Sequence, residues 1–126
     1  MALVLCTGTD LTLLTTRRMI LEAAGHSVIT VTDEIALIAA CKKHAFDVAV
    51  LGQAVSGKIK RHVSRVVREQ CPSAKVLELY QPHIGRQVED ADDWLLTPAD
   101  VPRELADRVD QLAEKGKRDK RKRTAG

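Results

Sequence analysis

Aromatic side chains are almost missing: Phe46, Tyr80 and Trp94 are the only three. Without a cluster of rings there is no platform on which unpaired bases could stack. Cysteine is as sparse. Cys6, Cys41 and Cys71 are odd in number and widely spaced, with no CxxC or Cys/His zinc pattern. The sequence therefore predicts three reduced thiols, no disulfide and no structural metal. His26, His44, His62 and His83 show no paired ligand spacing, so exposed or capping roles are expected of them. Ser56 and Ser64 have no neighbouring His/Asp arrangement that would make either a nucleophile, and no enzyme is predicted. Apolar runs are short, and none approaches the roughly 20 residues of a membrane helix. Met1 to Cys6 lacks a basic n-region and reads as a strand rather than a signal peptide. No membrane insertion is expected, and the cytoplasm is the default compartment.

What the chain does have is one domain's worth of sequence, 126 residues, 44% hydrophobic and 29% charged. Its net charge of +3 hides an asymmetry. Residues 115–126 hold seven Lys/Arg and a single Asp, whereas the first 114 residues are mildly acidic. This divides the chain into a folded body over 1–114 and a basic tail over 115–126. With no apolar residue to pack before Ala125, the tail is expected to be disordered when free.

The body alternates short apolar runs with helical spacing. Strands are predicted at 3–6, 27–31, 48–51, 76–79 and 94–96. Val48 to Leu51, closed by Gly52, has the composition of a strand buried on both faces. Asp10 and Asp33 are placed to cap helices, and Gly25 to end the first. That helix is predicted to bury Leu13, Leu14, Ile20 and Ala24, with a weaker contribution from Met19, and to turn Arg17 and Arg18 to solvent. The second, through about Lys43, is anchored by Ile35, Leu37, Ile38 and Ala39, and the third, from about Gly57 to Gln70, by Ile59, Val63, Val66 and Val67. Glu78 interrupts the fourth apolar run. Pro82 and Gly85 weaken the signal from Gln81 to Asp93, where only Gly85 to Asp90 could form a short helix. A last helix runs from Pro102 to about Glu114. This order predicts an α/β doubly wound, flavodoxin-like sheet of five parallel strands, order 2-1-3-4-5.

Leu11 to Gly25, Phe46-Asp47-Val48-Ala49-Val50-Leu51 and Ala91-Asp92-Asp93-Trp94-Leu95-Leu96-Thr97-Pro98 together resemble response-regulator receiver (CheY-like) domains, over Leu3 to Leu112. The resemblance implies five functional positions. An acidic pair that holds Mg²⁺ falls here on Gly8 and Thr9, with Asp10 the nearest carboxylate. The phosphoacceptor Asp falls on Gly52, the Ser/Thr after strand four on Tyr80, and the Lys before the cis-proline on Thr97. The switch aromatic falls on Trp94, where a bulky Tyr80 would block its inward swing; the preferred alternative is that both rings are ordinary packing aromatics. The short connection from Tyr80 to Asp92 leaves the family's fourth helix stunted or missing. Mg²⁺ seeks anionic oxygen, and phosphoryl transfer needs a nucleophilic oxygen with cations beside it. Gly8, Thr9, Gly52 and Thr97 offer neither. The expectation is a degenerate receiver that takes no metal or cofactor and binds a partner protein without phospho-switching, in bacterial signalling or transcriptional control. A homodimer through the last helix is a further option, although Arg103, Asp107, Arg108 and Asp110 there fit exposed polar positions equally well.

Three other patterns remain. Gly52 to Lys58 fits GxxxxGK, but Ile59 stands where a P-loop has a hydroxyl. Asp90, Asp92 and Asp93 read as loop charges. Lys117, Arg118, Lys120, Arg121, Lys122 and Arg123 could neutralise phosphates of a nucleic acid in a weak, sequence-independent way. The same run could meet an anionic membrane surface or an acidic partner, or serve only as a solubilising tail. A receiver that retains some phosphoryl-related ligand is the remaining alternative.

Overall fold

The computed structural model describes residues 1–53, 55–98 and 102–125. Five strands, β1 (Leu3–Thr7), β2 (Ser27–Val31), β3 (Val48–Leu51), β4 (Lys75–Tyr80) and β5 (Asp93–Leu96), form one parallel sheet. The order is β2-β1-β3-β4-β5, as the alternation of elements predicts. Helices α1 (Leu11–Ala23), α2 (Glu34–Lys43), α3 (Gly57–Gln70) and α4 (Arg103–Ala125) cover it. Side chains of the central strands alternate between two cores. Val4, Cys6, Val48, Val50, Leu77 and Leu79 pack with Leu14 and Leu21 of α1 and Val109 of α4. Leu5, Ala49, Leu51 and Val76 pack with Leu37 of α2 and with Val66 and Val67 of α3. The caps form as expected. Asp10 accepts from Leu13 N at 3.1 Å and Asp33 from Ala36 N at 2.7 Å. Gly25 takes φ +95°, a left-handed turn that a side chain would strain.

No helix joins β4 to β5 among the described residues. What orders that connection is Glu78, the residue that breaks the apolar run. Its carboxylate is fully buried and accepts from the backbone amides of Gln87 and Val88 at 2.8 Å each. Lys60 of α3, itself 3% exposed, donates to Glu78 at 3.0 Å and to the carbonyl of Leu79 at 2.9 Å. A charge in a central strand needs such a partner, because an unpaired buried ion costs several kcal/mol. The buried ion pair therefore anchors the connection to β4 through the amides of Gln87 and Val88.

Five expectations are corrected. Cys41 and Cys71 are joined by a disulfide, with Cα atoms 5.6 Å apart. Spacing could not reveal this, because packing of α2 on α3 brings residues 30 apart together. The basic segment is not structureless: α4 continues through Gly116 to Ala125, and Lys75 at the start of β4 pairs with Asp119 at 2.6 Å. His26 is buried, with Nδ1 accepting from Ala2 N at 3.0 Å and Nε2 2.7 Å from Asp110. Met19, Ile35 and Ile59 are exposed rather than core, while Leu21, unassigned from the sequence, is fully buried. Arg17 lies inside the protein, 7% exposed. It falls three residues after Leu14 and four before Leu21, on the stripe of α1 that faces the sheet.

Candidate functional site

Parallel strands all deliver their carboxyl ends to one edge, and the order reverses between β1 and β3. Open α/β sheets bind ligands at that crevice. Gly8 and Thr9 follow β1, Gly52 follows β3, Tyr80 ends β4 and Thr97 follows β5, so the fold brings the predicted positions to this edge. Asp10 is committed to capping α1 through its contact with Leu13 N. Thr97 donates its hydroxyl to the carbonyl of Tyr80 at 3.0 Å, which ties the ends of β4 and β5 together.

Arg17 is the residue that sequence reasoning missed. A Cβ built on Gly52 would stand 3.0 Å from Arg17 Nη1 and 3.0 Å from the carbonyl oxygen of Thr7. A guanidinium therefore crowds the position at which an acceptor side chain would begin. The space beside Gly52 is not bare, as the sequence implied, but cationic. Burial pushes the pKa of Arg17 down, opposed by attraction to Cys6 and Asp10. No hydrogen bond to its guanidinium exists among the described residues. The stripe Leu14–Arg17–Leu21 was the available signal.

Two cavities open on either side of this point. One, of about 230 Å³, lies between the ends of β1 and β3 and the first turns of α2 and α3, lined by Thr9, Asp33, Leu37, Gly52, Ile59 and Lys60 among others. His62 and Glu34 approach to 3.0 Å at its wall. The other, of about 240 Å³, lies between α1 and α4 and holds Thr16, Arg17, Gln53 and Thr97 within an otherwise apolar lining.

Trp94, in β5, is held in place from two sides. Its indole N–H donates to the carbonyl of Val88 at 2.9 Å, and the guanidinium of Arg86 lies 4.5 Å from its ring centre. Tyr80 lies under the same guanidinium at 5.8 Å. Asp92 and Asp93 do more than solvate a loop. Asp92 accepts from Val76 N at 2.7 Å and from Arg68 at 3.1 Å, and Asp93 pairs with Arg108 at 3.0 Å.

Cys6 is the free thiol in the same neighbourhood, and burial pushes it up to about 12, with Arg17 pulling weakly the other way. A folded-state pKa above the unfolded value near 9 means the unfolded chain loses this proton first. Stability is then fully present below about pH 9 and falls as pH rises towards 12, by up to about 1.4 kcal/mol per pH unit. Urea denaturation at pH 8 and pH 10.5 should show a steeper alkaline loss for the native chain than for Cys6→Ala. Equal slopes would refute it.

No family model matches the chain, and no curated protein matches it. Solved structures do. NtrX from Brucella abortus, in complex with ATP, superposes with TM-score 0.83 at 17% identity, covering 99% of this chain and 29% of that one. A response regulator from Thermotoga maritima gives 0.76 at 19% identity, over 90% of this chain and 98% of that one. Chemotaxis protein CheY4 from Vibrio cholerae gives 0.73 at 22% identity, over 89% and 98%. The chain thus spans about three tenths of NtrX but nearly the whole of the single-domain regulators. Sheet order, helix placement and these superpositions agree: the chain has the fold of response-regulator receiver domains.

Proposed function

We propose that this is a receiver-like interaction module that signals by binding a partner protein without being phosphorylated, in a bacterial cytoplasm. The observation that carries the reading is the guanidinium of Arg17 beside Gly52. Phosphoryl transfer to a receiver requires a carboxylate nucleophile and a metal held by acids. Gly8, Thr9 and Gly52 have no carboxylate, and Asp10 spends its own on a helix cap. The pinned Trp94 supports the same view, because the ring that would report phosphorylation is already held by Val88 and Arg86. Incubation with acetyl phosphate and Mg²⁺ should leave the intact mass unchanged. A stable adduct of one phosphoryl group would overturn the reading.

A second reading is favoured by the unbroken helix α4, which carries Lys115, Lys117, Arg118, Lys120, Arg121, Lys122 and Arg123 within its last three turns. Ordered in a helix, these residues lose less entropy on meeting phosphates than a coil would. The expected result is a weak gel shift of duplex DNA that fades steeply with salt and disappears when residues 115–126 are removed. A salt-insensitive shift, or none at low salt, would exclude nucleic-acid contact by this route.

A further inference from the structure

The cavity between α1 and α4 combines features that the loss of phosphorylation chemistry does not explain. Its walls are Leu13, Ile20, Leu79, Leu95 and Leu105, with Pro98 and Pro102 at one side. Two of its lining residues, Arg17 and Gln53, carry side-chain polar atoms that make no hydrogen bond among the described residues. The guanidinium of Arg17, in a residue more than nine-tenths buried, makes no hydrogen bond among the described residues. Gln53 Oε1 is buried and receives no donor. Both adjoin Gly52: Arg17 Nη1 stands where a Cβ on residue 52 would come within 3.0 Å of it, and Gln53 is its chain neighbour.

Guanidinium donors with no hydrogen-bond acceptor, and only the charge of Asp10 to attract them, and a buried acceptor without a donor are each unfavourable. One ligand would satisfy both. It must present an anionic oxygen pair to the planar fork of Arg17, a match that carboxylates make in bidentate fashion. It must place a hydroxyl or amine near that carboxylate for Gln53. Its remaining body must be apolar to lie against the leucines. Small-molecule sites commonly have this composition, an apolar wall with a few placed polar groups. Inorganic phosphate fits the fork but not the wall, and a plain hydrocarbon fits the wall but not the fork.

We propose that this cavity binds a small apolar monocarboxylic acid, its carboxylate on Arg17 and a hydrogen-bond donor beside the carboxylate on Gln53. The inference is independent of which protein partner the module serves. The ligand would lie against the first turn of α4 through Leu105, so its presence can be felt along that helix.

Calorimetric titration of the full chain tests it with 2-hydroxy-4-methylpentanoate, 4-methylpentanoate, acetate, inorganic phosphate and 4-methylpentanol. The hydroxy acid should bind best and the deoxy acid more weakly. Acetate, phosphate and the alcohol should give no saturable heat. Arg17→Met should weaken the hydroxy acid by about tenfold or more, while its melting temperature shows that the variant is folded. Ile20→Trp, which keeps Arg17 and fills the cavity, should abolish binding as well. The proposal falls if neither acid binds the native chain, if Arg17→Met binds them unchanged, or if phosphate or acetate binds as tightly as the apolar acids.

Discussion

Replacing Lys60 with Met should cost about 3–5 kcal/mol of folding stability, the range for breaking a buried ion pair from one side. The side chain keeps most of its length and apolar contact, so packing changes little. What changes is that the Glu78 carboxylate, fully buried, loses its cation. The remaining donors to Glu78 are the amides of Gln87 and Val88, which do not carry a full charge. The carbonyl of Leu79 also loses the donor that Lys60 supplies. Urea denaturation measures the loss, and hydrogen exchange should locate it: amides of 81–92 should open first, because Glu78 is their anchor. The reverse variant, Glu78→Gln, keeps a hydrogen-bond acceptor for the loop but strands the ammonium of Lys60, so it too should be severely destabilised. A cost under about 1 kcal/mol for Lys60→Met would mean that the pair is solvated in practice and does not organise the connection.

Gly52→Asp, which places a carboxylate at the end of β3, should not by itself make the chain accept a phosphoryl group. Its Cβ would meet the Thr7 carbonyl at 3.0 Å and Arg17 Nη1 at 3.0 Å. The backbone carbonyl cannot easily give, but the guanidinium tip can, and it would then pair with the new carboxylate. A carboxylate so engaged is a poor nucleophile, and no acidic pair holds Mg²⁺ beside it. Intact mass after acetyl phosphate and Mg²⁺ should show no phosphoryl adduct for Gly52→Asp. The combination Gly8→Asp, Thr9→Asp, Gly52→Asp, Thr97→Lys with Arg17→Val should show one. If Gly52→Asp alone is phosphorylated, Arg17 does not control the site and the guanidinium is only a packing element.

Both results bear on how the site is built. A receiver site is acidic, with a cation added from solution. On the proposed reading, the cation here is a guanidinium of the chain itself. Burial, and not that cation, sets the raised thiol pKa of Cys6. Arg17 stabilises a thiolate, yet burial raises the pKa more, because taking a charge out of water outweighs the attraction of a cation that is itself poorly solvated.

The amino-acid order alone determined the layered architecture. Alternating apolar runs and helical spacings, punctuated by Asp10, Gly25 and Asp33, specify five parallel strands and their covering helices, since local periodicity and capping act over a few residues. It also determined which carboxylates are missing at the strand ends, because Gly8, Thr9 and Gly52 cannot become acidic in any fold. The surroundings of three charged side chains were decided only in three dimensions. Arg17, Lys60 and Glu78 each look like surface charges until the stripes Leu14–Arg17–Leu21 and Lys60–Ser64–Val67 are seen to face the sheet. Cys41 and Cys71 meet only because α2 packs on α3. Composition and spacing record what a residue is, whereas the energy of a buried charge or thiol depends on what stands opposite it, and that is set by the packing of segments far apart in the chain.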